Sequence, residues 1–235
     1  MEVQLASLKN IPIAGRSGSA PVRVGNGVYN DLWMGNDGAS VNLPWKQALV
    51  LEGRCFTVQV GALVTGIASG SGTVPELAEP EFIISVPTGA AIIPLRIRAT
   101  CHPADAVSAH DKMNIIFGWD RGKAYDGTGT HVTEIAYNLR GDNPKATVCT
   151  CTSAHTDDIT SIPVMLSELA RKDIQFDLTT SGAAYADQFE LTYEPEAAPV
   201  LVGPAMLVGM WGGTAALTGY AQIFWAEFTK AELGF

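Results

Sequence analysis

The sequence predicts an all-β fold, a jelly-roll β-sandwich of about eight to nine antiparallel strands with a loop-rich amino-terminal arm and at most one short helix. Three observations predict it. From Arg54 onward, apolar residues recur at every second position, the period of a strand buried on one face. Clusters of Gly, Pro, Asn and Asp punctuate these runs. Only Val164 to Asp173 shows a helical spacing of apolar residues, and one short helix cannot cover a sheet, so sheet must bury sheet, as a sandwich or a closed barrel. Connections such as Gly66 to Pro80 and Asp120 to His131 are too long for simple hairpins and favour the Greek-key crossings of a jelly roll.

Taken in chain order, residues 1–45 read as an arm. They are rich in Gly, Pro and Asn, keep no period of 2 or 3.6, and balance Lys9, Arg16 and Arg23 against Glu2, Asp31 and Asp37. Residues 46–235 read as the jelly-roll domain. Phe56, Val58, Val60, Ala62 and Val64 share one face of a first strand, with Thr57 and Gln59 on the other. Phe82, Ile84 and Val86 form a second. After the turn at Pro87-Thr88-Gly89, Ala91, Ile93, Leu95 and Ile97 form a third, with Arg96 and Arg98 facing away. Met113, Ile115, Phe117 and Trp119 mark a fourth, and Val132 to Leu139 and Ala146 to Thr152 two more. Phe189, Leu191 and Tyr193 alternate with Gln188, Glu190, Thr192 and Glu194. Ala197 to Ala226 carries no charge and is long enough to cross a bilayer. Its many Gly and Pro residues break a helix, so it reads as two buried strands, Val200 to Trp211 and Gly219 to Phe228, joined as a hairpin.

Charge narrows the partners. With 15 Lys plus Arg against 24 Asp plus Glu, the chain has a formal net charge of −9. It lacks the basic surface that nucleic acid or anionic lipid demands, so neither nucleic acid nor membrane is an expected partner. Charged residues make up only 17 %, which suits a surface largely buried against neighbours. The amino-terminal Met-Glu-Val-Gln-Leu-Ala does not read as a secretory signal.

Chemistry-bearing patterns are sparse. No nucleophile elbow, phosphate loop or dinucleotide fingerprint occurs, and His102, His110, His131 and His155 are isolated where a cupin metal site needs a His-x-His pair. No catalytic residue, metal ligand or cofactor is therefore expected. Cys55, Cys101, Cys149 and Cys151 match no closed zinc spacing and read as buried thiols of a reducing compartment. Asp173, Asp177, Asp187, Glu190, Glu194 and Glu196 form an acidic tract without an intervening base, read as a solvated face with calcium binding as the alternative. Arg140-Gly141-Asp142 spells a tripeptide that integrins read, on an exposed turn. Trp119, Trp211 and Trp225 lie in apolar strands and belong to the core. Trp33 and Trp45 lie in the arm and are the candidate interface residues.

The stretches Phe82-Ile-Ile-Ser-Val-Pro-Thr-Gly-Ala-Ala-Ile-Ile-Pro-Leu-Arg-Ile-Arg and Gly219-Tyr-Ala-Gln-Ile-Phe-Trp-Ala-Glu-Phe resemble virion structural proteins of tailed bacteriophages, the jelly-roll proteins that decorate or cement a capsid. The resemblance spans the strand region from about residue 54 to the end. It implies a non-enzymatic accessory shell protein, made in the host cytoplasm and placed on the capsid surface of the virion. The implied partners are itself, as a homotrimer, and other capsid proteins. The long spine helix of the usual tailed-phage major capsid protein has no counterpart here. Two other classes compete: a receptor- or carbohydrate-binding β-sandwich module, and a β-sandwich hydrolase with paired carboxylates.

Overall fold

A computed structural model describes residues 15–17, 32–34, 44–62, 65–69, 75, 77–104, 111–123, 125, 127–142, 145–156, 167–175, 188–214 and 216–234. The chain divides into two compact units, Met1–Gly53 and Arg54–Phe235.

In the first unit, strands β1 (Gly15–Ser17) and β2 (Leu32–Met34) pair in parallel, with Arg16 opposite Trp33. Helix α1 (Trp45–Leu51) follows Pro44 and buries Leu49. It is the one α-helix among the described residues, and it stands where the arm was expected to give way to the body. The rest of the expected arm, and the side chain of Trp33, lie outside the described residues.

The second unit contains β3 (Cys55–Val60), β4 (Ile67–Ala68), β5 (Phe82–Val86), β6 (Ala90–Pro103), β7 (Lys112–Arg121), β8 (Val132–Glu134), β9 (Tyr137–Asn138), β10 (Thr150–Ser153), β11 (Ser167–Gln175), β12 (Phe189–Tyr193), β13 (Leu201–Val202), β14 (Ala205–Gly213) and β15 (Leu217–Thr229), then a 3₁₀ turn at Ala231–Leu233. Eight of these strands form a rolled ribbon. The first pairs with the last (β3 with β15), the second with the seventh (β5 with β14), the third with the sixth (β6 with β12) and the fourth with the fifth (β7 with β11), all antiparallel. Rolling this ribbon yields two sheets, β11-β7-β14-β5 and β12-β6-β15-β3, which is the jelly roll. Between the sheets lies one core that includes Phe56, Phe82, Phe117, Trp211 and Trp225.

The segment between β7 and β11 supplies additional strands. β10 and β8 extend the first sheet past β5, and β9 extends the second past β3. Two residues, Ile135 and Ala136, carry the chain from one sheet to the other. These short strands cover edges that would otherwise offer unpaired backbone to another chain.

Five expectations need correction. Residues 167–175 are a strand, not part of a helix: β11 pairs with β7 from Trp119 to Lys112, and its bulge at Glu168–Ala170 disguises the period of 2 as a helical one. In β6, a register shift opposite Phe224/Trp225 leaves Leu95 as an extra residue, so Ala90 and Ile92 face the core before it and Ile97, Ala99 and Cys101 after it. Ala91, Ile93 and Leu95 therefore do not share the core face with Ile97. Val132 to Leu139 is two strands in different sheets. Val200 to Trp211 is likewise divided, β13 pairing with β6 and β14 with β5 and β7. Finally, β14 and β15 are not a hairpin, because they lie in opposite sheets.

The uncharged carboxy-terminal stretch has a simple origin. β14 is buried along its whole length, with Leu207 and Trp211 in the main core and Met206, Val208 and Met210 in a second cluster against Ile83, Leu77, Ile116 and Tyr125. A strand covered on both faces reads as continuous apolar sequence. No helix among the described residues is long and apolar enough to cross a membrane.

Candidate functional site

The alternation of β3 sends Phe56, Val58 and Val60 into the core and leaves Thr57 and Gln59 on the outer face of the second sheet. Pairing then assembles a site on that face. Gln222 of β15 lies directly opposite Gln59, and Tyr137 of β9 directly opposite Thr57. Thr133, Glu134 and Ile135 come from β8 and the crossing that follows it. Together these seven residues line a groove of about 410 Å³.

The groove has a polar floor and an aromatic rim. Tyr137 is 65 % exposed, and Ile135, two residues before it, is exposed as well. The Oγ1 atom of Thr57 is buried and makes no hydrogen bond within the chain. Gln59 Nε2 makes one long contact, 3.3 Å, to the carbonyl oxygen of Gly61. Glu134 accepts a hydrogen bond from the hydroxyl of Ser153 on β10, which ties the first sheet to the groove wall.

No protein-family model, curated protein or solved structure matches this chain.

A second cavity, about 490 Å³, is lined by Gly66 to Ser69, Glu79 and Ala154 to Thr156. His155 is only 3 % exposed there. Its ring stacks on His131 at 5.6 Å and meets the edge of Tyr125 at 5.1 Å, and its Nε2 shares a hydrogen bond with Thr152 Oγ1. Burial, with the His131 ring adding to it, pushes the His155 pKa down to about 4, so its imidazole is neutral at pH 7. The Tyr125 hydroxyl donates to the carbonyl oxygen of Thr128 and lies 2.9 Å from His131 Nδ1. Among the described residues, one carboxylate lines each of these two cavities, Glu134 and Glu79, whereas glycoside hydrolysis ordinarily takes a flanking pair.

The remaining sequence candidates resolve as follows. Trp45 opens helix α1 and is 49 % exposed, with Lys46 Nζ 6.0 Å from its ring centroid. All four cysteines are buried free thiols. Burial first, then the Glu227 carboxylate, raises Cys149 and pushes Cys151 up to about 12, which keeps both protonated and unreactive at neutral pH. Arg140 and Asp142 bind each other, with Arg140 Nε 2.7 Å from Asp142 Oδ1, so the tripeptide closes on itself. Two carboxylates of the acidic tract are paired from β6, a source the linear sequence hides. Arg98 Nη2 reaches Glu190 at 2.6 Å, and Arg96 Nε reaches Glu194 at 3.6 Å, while Asp173 is held by Arg171. Asp177 and Asp187 lie outside the described residues. Among the described residues, no three His, Cys, Asp or Glu side chains converge as a metal site.

Sequence reading missed the groove. Its residues come from three separated segments, and only Tyr137 carries a local signal, an aromatic ring in a run otherwise typical of a half-buried strand.

Proposed function

We propose that the chain is a non-enzymatic structural protein of a virion, a capsid decoration or cement protein that acts by symmetric self-association, as a homotrimer, and by contact with other capsid proteins. One observation carries this reading: the first-to-eighth rolled pairing of a jelly roll, an architecture that recurs in viral shells, in a chain whose charge content is only 17 %. The sheet edges support association through side-chain faces rather than strand addition. β8 and β9 are three and two residues long, and the β11 edge carries Glu168, Arg171 and Asp173. Individually modest contacts, repeated on a symmetric shell, add through effective concentration.

Trp33 and Trp45 of the first unit are the proposed anchors, Trp45 being a large exposed aromatic at the start of α1. Light scattering of the full chain across a concentration series is expected to reveal a trimer. Trp33→Ala and Trp45→Ala are each expected to weaken it, since truncating an aromatic anchor typically costs about 2 kcal/mol or more. A strict monomer that also fails to bind capsid shells would sink the proposal. So would turnover of a glycan or ester that one carboxylate substitution abolishes.

A further inference from the structure

We infer that the groove between β3, β15 and the β8–β9 crossing is a binding site for a neutral glycan. The floor is built of paired strands, so Gln59, Gln222 and Thr57 are held at fixed spacing before any ligand arrives. The two amides each offer donors and an acceptor, and the hydroxyl of the exposed Thr133 offers both roles. This mixture suits sugar hydroxyls, which also both donate and accept. Tyr137, exposed across most of its surface, supplies an apolar ring face on which the C–H face of a pyranose can lie. The volume of about 410 Å³ falls within the usual small-ligand range of about 300–1,000 Å³.

Other ligand classes fit less well. Among the described residues the lining contains one carboxylate and no Lys or Arg, so an anionic sugar, a phosphate or an acidic peptide meets no counter-charge there. An apolar ligand would cover the amides and hydroxyls without satisfying them. An extended peptide gains most from an open sheet edge, whereas this floor is a sheet face whose backbone is already paired between β3 and β15. The specific pointer is the exposed Tyr137 ring beside the opposed amides of Gln59 and Gln222, an apolar platform next to paired donors and acceptors.

The inference does not depend on assembly into a shell, which light scattering reads separately. The full chain is titrated with maltohexaose, cellohexaose, mannohexaose and chitohexaose, with a heparin hexasaccharide as the anionic control, and binding is followed calorimetrically. Saturable binding is expected for at least one neutral sugar and not for heparin. Tyr137→Ala and the Gln59→Ala/Gln222→Ala double variant should each weaken it roughly tenfold or more, about the loss of one good contact, while Tyr137→Phe retains it. The proposal fails if no neutral sugar binds up to about 10 mM, well above an ordinary specific Kd. It also fails if heparin alone binds, or if Tyr137→Ala binds like the wild type. A Tyr137→Ala effect on oligomeric mass without sugar binding would mark the groove as a subunit contact and overturn it.

Discussion

Gly209 shows how tightly this core is specified at the level of one residue. It lies opposite Phe82 on β5 and opposite Phe117 on β7, and those two rings meet with centroids 6.3 Å apart. A Cβ built on Gly209 would stand 1.8 Å from Phe82 Cε1, so the ring occupies the place of a side chain. Gly209→Ala is expected to destabilise the protein by about 1–3 kcal/mol through overpacking, read as a lower denaturation midpoint at unchanged m-value. A neutral result would mean that the Phe82 ring is free to swing away. The sequence reading took the glycines of this stretch as breakers of a membrane helix and placed Gly209 within a strand, Val200 to Trp211. Gly209 does lie inside β14, but the need for a glycine there is invisible locally, because the rings arrive from two other strands. Glu81 illustrates the same limit: its buried carboxylate accepts the Trp211 backbone N–H at 2.8 Å, just beyond the point where β5 pairing ends.

At the scale of elements, the segment between β7 and β11 is held by a buried carboxylate on β15. Glu227 accepts hydrogen bonds from the Thr147 hydroxyl, the Val148 N–H at 3.2 Å and the Trp225 Nε1–H at 3.0 Å. Removing it strands these donors, each costing about 1–3 kcal/mol if it stays buried and unpaired. Glu227→Ala is expected to lower global stability by at least that order. It should also speed hydrogen exchange at Val148 and along β8 and β10 more than at β6 or β14. Uniform acceleration at all amides would show that the segment opens only with the whole fold. Sequence periodicity located most strands of the body, since alternation needs only one covered face. It mistook β11 for a helix because a bulge shifts that alternation by one residue, and it joined β5 to β6 and β14 to β15 through turns without revealing that each pair changes sheet. The Gly89 turn illustrates the ambiguity. Its φ of +94° and the Ala90 N–H bond to the Pro87 carbonyl oxygen would serve a hairpin as readily as the sheet-to-sheet step it makes here.

For the whole molecule, acid should act in two separable windows. The unfolded His155 titrates near 6.5 and the folded one near 4, so between these values the unfolded state holds the extra proton. Stability is therefore complete above pH 6.5 and is lost as pH falls toward 4. Glu232, bound by Arg54 at 2.6 Å and accepting from Thr229, has its pKa drawn from 4.5 to about 2, so its contribution is present above 4.5 and lost as pH falls toward 2. Thermal melts across pH are expected to show both limbs. His155→Phe should flatten the upper limb alone, and Glu232→Gln the lower alone. An upper limb unchanged in His155→Phe would place the responsible proton on another group.

By itself, the amino-acid sequence determined that this is a β protein with a two-sheet core, that its centre includes Trp211 and Trp225, and that its uncharged carboxy-terminal run is strand rather than membrane helix. Those properties follow from period and composition, which are local. Only the tertiary structure decided which strand lies beside which, that the acidic tract meets Arg96 and Arg98, and that Thr57, Gln59, Gln222 and Tyr137 form one groove. Strand order and register arise from contacts between residues far apart in the chain. A rolled ribbon that pairs its first strand with its last places those contacts at the greatest possible separation.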